Sequence, residues 1–290
     1  MRPAISDWDD AYANAAHIPG AAAIFEAWPR DSAAFRARAG GRLDLPYGAH
    51  PREVYDLFAP AGAAAGLIVY FHGGYWKAYD KSASSWLAAG PVSRGWAVAV
   101  PSYPLCPEAR IGDIARCAAR AVAAAAGEVA GPIALTGHSA GGHLAARLLC
   151  DDGLLPEAVA ARVTRAVGIG GVYDLRPLTR TAMNETLRLD AAEARAESPA
   201  LLEPRIGAEL IAWVGAEERP EFLRQSALIA NIWRGLGART ALVEAPRRHH
   251  FDVVAPLAAP DSALTDAMIG GLAEGRSEEH TSELQSRMFI

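Results

Sequence analysis

A serine lies at the centre of the pentapeptide GHSAG, which spans residues 137–141. The short apolar run 132–135 precedes it and is typical of a buried strand, while the Ala- and Leu-rich segment after Ser139 favours a helix. A G-x-S-x-G sequence between a strand and a helix predicts a nucleophile elbow, the sharp turn that lifts a serine hydroxyl out of the backbone. The alternative is a Gly/Ser-rich turn that serves only packing.

A serine nucleophile needs a general base, and the base needs an acid that orients it. In hydrolases with a nucleophile elbow the chain order is serine, acid, histidine. Of the eight histidines, this order leaves His249, His250 and His280. His280 lies in the C-terminal tail that we exclude from the fold, whereas His249 and His250 lie in the loop after the last predicted strand. We favour His250 because it directly precedes Phe251 and a segment that can fix its position; His249 stays as the alternative.

The acid should follow a late strand between the serine and the histidine. Glu218 is placed best, because it comes after the apolar run 210–214 and just before the start of a predicted helix. Glu217 would serve only if the loop turned differently. Asp174 follows an earlier strand, and the segment around it resembles a structural Asp-Arg turn. We expect the acid to hold one tautomer of the imidazole and to stabilise the imidazolium.

The sequence HGGYW at residues 72–76 follows another apolar run and predicts an oxyanion hole. Backbone N–H groups of Gly73 and Gly74, together with that of Ala140 after the serine, would face the oxygen of the tetrahedral intermediate. We expect His72 to brace this loop beside the substrate. Tyr75 and Trp76 form either an aromatic wall for a flat substrate or ordinary packing.

Strands alternate with helices along most of the chain, which predicts an α/β fold with a doubly wound, mostly parallel sheet and helices on both faces. Ligands bind such sheets at the carboxyl ends of the strands. Five candidate side chains follow predicted strands and should therefore lie at one edge of the sheet: His72, Ser139, Asp174, Glu218 and His250.

Changes of pattern suggest the domain organisation. Residues 1–40 predict an N-terminal helical arm that either packs on the domain or roofs the site. Residues 41–275 form the main domain, in which the polar, Pro-containing segment 175–207 predicts a lid-like insertion. Residues 276–290 lose all periodicity and predict a non-native or disordered tail, similar to a translated sequencing adapter.

The bulk composition excludes several classes of protein. The chain has 290 residues, a net charge of −5 and no basic stripe, so we expect no nucleic-acid partner. No apolar run is long enough to span a membrane, and we expect no signal peptide at the N-terminus. The three cysteines are widely spaced, which argues against disulfides or a metal site and favours a cytoplasmic protein. We expect a small-molecule substrate; a homodimer is an open option.

Several motifs together resemble the kynurenine formamidase (arylformamidase)-like branch of the α/β-hydrolase superfamily. They are HGGYW, GHSAGGH, GVYDLRPL, NETL, RPEF and HHFDVV, spread over roughly residues 43–260. The resemblance implies Ser139 as nucleophile, Glu218 as acid and His250 as base, and cleavage of an N-formyl amide of an aryl amine without a cofactor. The family's usual acid is Asp, so Glu218 departs from the pattern. The alternatives are a carboxylesterase or thioesterase for small acyl groups and a binding protein on an inactive hydrolase fold.

Overall fold

The computed structural model describes residues 4–270, and within this range eight strands form one sheet. The strand order is β1-β2-β4-β3-β5-β6-β7-β8. Strand β2 is antiparallel to both β1 and β4, and the strands from β4 to β8 are parallel. The strands are β1 Arg42–Pro46, β2 Val54–Phe58, β3 Leu67–Phe71, β4 Ala97–Pro101, β5 Ile133–His138, β6 Val163–Ile169, β7 Glu209–Gly215 and β8 Arg239–Ala245.

Hydrophobic cores lie on both faces of this sheet, as the predicted doubly wound fold requires. Strand β3 is buried along its whole length, which explains its unbroken apolar sequence LIVYF. Alternate residues enter opposite cores: Val69 belongs to the larger core and Ile68 to the smaller one. The predicted doubly wound, mostly parallel sheet with a core on each face is therefore confirmed.

Helices connect the strands and cover the sheet. Their bounds are α1 Trp8–Tyr12, α2 Ala21–Ala39, α3 Ala89–Ser93, α4 Ile111–Glu128, α5 Ala140–Arg147, α6 Glu157–Ala160, α7 Asn184–Leu187, α8 Ala191–Ala196, α9 Pro220–Gly235 and α10 Ala263–Gly270. None of the described helices is both long and apolar enough to cross a membrane. The predicted tail, residues 276–290, lies outside the described residues.

Two elements differ from the sequence-based expectation. The predicted helix 81–94 is split into two 3-10 turns and the short α3. The Asp80 side chain caps the first turn, which ends after three residues. Strand β1 was not predicted; it is only five residues long, and its side chains are mostly exposed. Neither difference moves a strand end that carries a candidate site residue.

Candidate active site

Ser139 lies in a strained turn between β5 and α5. Its φ of 56° and ψ of −115° are rare for a residue with a side chain, and its N–H donates to the Ile169 carbonyl oxygen at 2.7 Å. A Cβ at Gly137 would lie 2.4 Å from the Gly141 backbone, and one at Gly141 would lie 2.0 Å from the Phe71 oxygen. The two glycines therefore allow the close approach that the nucleophile elbow requires.

His250 and Glu218 form a buried pair at the ends of two neighbouring strands. His250 Nδ1 lies 2.5 Å from Glu218 Oε2, and both residues are nearly inaccessible to solvent. Glu218 Oε1 accepts from the N–H of Gly215, the last residue of β7, at 2.9 Å. A carboxylate only accepts hydrogen bonds, so Nδ1 carries the proton and the lone pair lies on Nε2. This is the tautomer that a general base needs.

The competing candidates make other contacts. His249 faces Asp252, with 3.2 Å between Nδ1 and Oδ1. Glu217 is exposed, and Asp174 forms a two-pronged ion pair with Arg176 at 2.9 Å. Burial opposes ionisation of Asp174, but the hydrogen bonds from Arg176 prevail and lower its pKa. Among these candidates, the contact between acid and histidine is made by Glu218 and His250 alone.

Ser139 and His250 line one cavity of about 470 Å³. The volume lies within the range typical of small-molecule sites. No hydrogen bond joins the Ser139 hydroxyl to His250 within residues 4–270. In unliganded enzymes such catalytic contacts often tighten only once substrate is bound. Within the described residues, no group of three or more His, Cys, Asp or Glu side chains is placed to hold a metal ion.

The HGGYW segment folds over the serine. A Cβ on Gly73 would lie 3.3 Å from the Ser139 Cβ, so this backbone sits directly against the nucleophile. Gly74 has φ +104° and its carbonyl closes a tight turn by accepting from the N–H of Lys77 at 3.0 Å. Among the described residues, the N–H groups of Gly73 and Gly74 have no backbone acceptor. Ala140 begins α5, where an N–H lacks an intrahelical partner.

His72 braces this loop from below. Its ring stacks on Tyr103 with centroids 4.1 Å apart, and its Nδ1 lies 2.7 Å from the Gly73 oxygen. Burial lowers the pKa of His72 to about 4, so the imidazole is neutral near pH 7. His72 also borders the cavity. Its environment suits a structural support rather than a proton carrier.

The side chains of the two aromatic residues after the glycines lie in different places. Tyr75 lines the cavity, and its hydroxyl donates to the Tyr12 carbonyl oxygen at 2.7 Å. Trp76 is fully buried in the larger core and packs edge-on against His143, with ring centroids 5.0 Å apart. The expected substrate contact of Trp76 is therefore wrong. Both residues have positive φ, and this tight turn directs their side chains to different places.

The N-terminal arm roofs the cavity. Residues 12–16 line it together with Phe25 and Trp28 of α2. Phe25 packs on Phe251, with ring centroids 4.7 Å apart, beside the loop that carries His250. By contrast, none of the cavity-lining residues comes from 175–207, and the lid-like role of that segment stays a prediction. Its short helices instead pack against the outer helices, as when Trp233 of α9 donates to the Pro199 oxygen at 3.0 Å.

Sequence analysis missed two residues that support the acid–histidine pair. Gly170 follows β6 with φ +54°, and a Cβ there would lie 3.0 Å from His250 Nδ1 and 3.1 Å from both Glu218 oxygens. His138, the variable residue of the pentapeptide, donates from Nε2 to the His250 carbonyl oxygen at 2.7 Å. Burial and the neighbouring His250 lower the pKa of His138 well below its usual range. In the sequence, only the Gly-Gly pair after β6 could have indicated the role of Gly170.

Comparisons with known proteins agree with this architecture. The model of the alpha/beta hydrolase family matches residues 68–287. The chain belongs to the alpha/beta hydrolase family. As a member of that family it is a hydrolase, and the matched segment contains Ser139, Glu218 and His250.

Curated relatives of this hydrolase include kynurenine formamidases. The enzyme of Salmo salar is 28% identical over 240 residues, which cover 78% of this chain and 80% of the relative. The enzyme of Danio rerio is 27% identical over 236 residues, with the same two shares. The arylformamidase-like branch proposed from the motifs is thereby supported across most of the chain.

Solved structures give the same fold. A protein of Silicibacter sp. TM1040, provisionally described as a thioesterase, is 49% identical with a TM-score of 0.86, over 90% of this chain and 98% of that one. An esterase of Pyrobaculum calidifontis is 20% identical with a TM-score of 0.62, over 81% of this chain and 86% of that one. The second likeness concerns the fold alone.

Proposed function

We propose that this hydrolase cleaves the N-formyl amide of an aryl amine, with Ser139 as nucleophile, His250 as general base and Glu218 as the orienting acid. The observation that carries the proposal is the buried contact of 2.5 Å between Glu218 and His250, beside the cavity that Ser139 lines. The kynurenine formamidase relatives support the choice of a formamide.

The first half-reaction forms a formyl-enzyme. The Ser139 oxygen attacks the formyl carbon while His250 Nε2 accepts the hydroxyl proton. Glu218 stabilises the resulting imidazolium through Nδ1. The negative oxygen of the tetrahedral intermediate accepts from the backbone N–H groups of Gly73, Gly74 and Ala140. The C–N bond then breaks, and the imidazolium returns its proton to the departing aryl amine.

The second half-reaction uses water. His250, neutral again, accepts a proton from a water molecule as the water oxygen attacks the formyl ester of Ser139. The same N–H groups stabilise the second tetrahedral intermediate. Its collapse breaks the ester bond, and the imidazolium returns its proton to the serine oxygen. The formic acid released loses its remaining proton to solvent and leaves as formate.

The cavity walls suit an aromatic leaving group. The rings of Phe25, Trp28 and Phe251 form an edge-to-face cluster beside the cavity, with the centroids of Trp28 and Phe251 5.9 Å apart. Tyr75 and Tyr79 add two further aromatic walls. Aromatic pairs of this kind contribute about 0.5–1.5 kcal/mol beyond the burial of apolar area. A flat aryl substrate would extend the cluster.

A carboxylesterase or thioesterase activity on small acyl groups is the second candidate. The Silicibacter protein supports it, because that protein is 49% identical and is provisionally described as a thioesterase. The same residues would serve, since an ester or thioester passes through the same tetrahedral intermediate. We also propose a cytoplasmic location, supported by the three cysteines, which are free and buried.

A panel of formamides, esters and thioesters separates the two candidates. We expect wild type to have a higher kcat/KM on N-formylkynurenine or formanilide than on p-nitrophenyl acetate or an acyl thioester, and Ser139→Ala to lose every activity. A strong preference for the ester or thioester would replace the first candidate by the second. Full turnover by folded Ser139→Ala would contradict both candidate functions.

A further inference from the structure

His138 carries a hydrogen-bond acceptor that the proposed mechanism does not use. Its Nε2 lies 2.7 Å from the His250 carbonyl oxygen, which only accepts, so Nε2 holds the ring proton. Burial lowers the pKa of His138 well below its usual range, and the imidazole is therefore neutral. In a neutral imidazole the nitrogen without the proton is an acceptor. Nδ1 of His138 accordingly presents a lone pair of electrons.

The Nδ1 atom lies at the cavity wall beside the nucleophile. An ideal Cβ on Gly73 would lie 3.2 Å from His138 Nδ1 and 3.3 Å from Ser139 Cβ, and all three residues line the cavity. Within residues 4–270, Nδ1 has no hydrogen-bond partner, yet it is not one of the polar atoms that the protein encloses completely. The Nε2 atom of His72, by contrast, is enclosed. A bound substrate can therefore reach Nδ1 of His138.

The His138 ring also borders the aromatic cluster proposed to hold the aryl group. Trp28 packs edge-on against this ring, with centroids 6.3 Å apart, and the His250 ring lies 4.6 Å away. In an N-formyl aryl amine the nitrogen joins the formyl carbon to the aromatic ring. With the formyl carbon at Ser139 and the aromatic ring on Trp28, this nitrogen lies close to His138.

The reacting groups offer two hydrogen atoms to such an acceptor. The Ser139 hydroxyl proton passes to His250 in the proposed mechanism, which leaves the N–H of the scissile formamide. We propose that His138 is a specificity-determining residue, whose Nδ1 accepts a hydrogen bond from this N–H and thereby selects secondary formamides over esters of the same shape. The inference rests on the proposed function for the aryl formamide.

The size of the selection follows from the chemistry of the ester. An ester has an oxygen where the formamide has its N–H, and this oxygen cannot donate. Nδ1 is then left without a partner once the substrate has displaced water, which costs free energy. We expect the hydrogen bond to raise kcat/KM for the formamide, relative to the ester, roughly three- to ten-fold, as neutral hydrogen bonds typically do.

Two substitutions of His138 separate this contact from the one with His250. Gln can place its side-chain NH₂ near the former Nε2 position and still donate to the His250 oxygen, but it has no acceptor at the Nδ1 position. Asn places its oxygen near the Nδ1 position, but it is too short to reach the His250 oxygen. The substrates are formanilide and phenyl formate, which share the formyl and phenyl groups.

The readout is the ratio of kcat/KM for formanilide to kcat/KM for phenyl formate, corrected for spontaneous hydrolysis. We expect this ratio to fall roughly three- to ten-fold in His138→Gln and to persist in His138→Asn, even where the rates on both substrates fall. If His138 only supported His250, both activities would change together. A wild-type ratio in His138→Gln would therefore overturn the proposal.

N-Methylformanilide provides a check without a variant, because it is a formamide that has no N–H. We expect wild type to cleave it with a kcat/KM at least roughly three-fold below that of formanilide. Equal values for the two formamides would overturn the proposal.

If wild type cleaves only the ester, the proposed formamidase function fails by itself. The two formamides are then compared as inhibitors of ester hydrolysis. The inhibition constant of formanilide should rise roughly three- to ten-fold in His138→Gln, while that of N-methylformanilide should stay the same. Equal changes for the two inhibitors would overturn the role of His138.

Discussion

Gly170 gives the sharpest test of the acid–histidine pair, because it is the residue whose missing side chain lets the pair form. A Cβ there would approach His250 Nδ1 to 3.0 Å and both Glu218 oxygens to 3.1 Å. Non-bonded heavy atoms prefer about 3.5–4.0 Å, so Gly170→Ala should displace the pair by roughly 0.5 Å. A displacement of 1 Å in a catalytic group can cost about 100-fold in rate. We therefore expect kcat to fall roughly ten- to hundred-fold.

The same substitution also strains the backbone, and a second glycine separates the two effects. Gly170 has φ +54°, where an alanine costs about 1 kcal/mol. Gly153 has φ +73° and no atom within 4 Å of its ideal Cβ position. Gly153→Ala should therefore lose a similar free energy of unfolding but keep full activity. Both variants should lower Tm by roughly 2–4 °C.

The assay compares kcat on the best substrate with Tm from circular dichroism, for wild type and both variants. The reasoning is refuted if Gly170→Ala loses stability to the same extent as Gly153→Ala and still turns over at the wild-type rate. Such a result would mean that the contact of 2.5 Å between Glu218 and His250 is not needed for the reaction.

Two further predictions concern charge. Glu218→Gln keeps the Gly215 contact but presents an NH₂ group to His250, which forces the wrong tautomer of the imidazole. We therefore expect kcat to fall roughly 10⁴-fold. The control variant Glu217→Gln, at an exposed position, should keep the wild-type kcat. Burial lowers the pKa of His72 to about 4 and that of His143 to about 3, below the value of ~6.5 in the unfolded chain. Because the unfolded state binds more protons below that value, each histidine should remove ~1.4 kcal/mol of stability between about pH 7.5 and about pH 5.5. Urea unfolding at both pH values measures this loss, and His143→Gln should reduce it by one histidine's share; an identical pH dependence in that variant would contradict the assignment.

The strand ends that carry the site could be predicted because they depend on local sequence. Strand β3 is an unbroken apolar run, and β5 leads directly into the elbow pentapeptide. The parallel topology then brings the ends of β5, β7 and β8 to the same edge of the sheet. Chain order narrowed the candidates, and position after a strand and before a helix favoured Glu218 and His250, which are in contact.

The roof of the cavity could not be predicted in the same way, because it depends on contacts between distant parts of the chain. Phe25 meets Phe251 across more than two hundred residues, and nothing in the local pattern of α2 shows this partner. The polar composition of 175–207 suggested a lid, yet that segment packs on the outer helices. Trp76 gives a second example. Its side-chain direction depends on the backbone angles of a tight turn, which cannot be predicted from the residue types.

The fold accommodates Glu218, an acid longer than the usual Asp, by bending its side chain. Glu218 has one more methylene than the usual Asp, and it uses both carboxylate oxygens, one on the Gly215 N–H and the other on His250. The side chain thus turns back toward the end of its own strand. Gly170 leaves the space for this arrangement.

Covalent labelling of Ser139 tests the central proposal most directly. Native protein would be treated with a fluorophosphonate, digested and mapped by peptide mass spectrometry while residual turnover is followed. We expect phosphonylation at Ser139 in step with the loss of hydrolysis, and no label in Glu218→Gln at short times. Folded, active protein that is labelled elsewhere, or not at all, would contradict it.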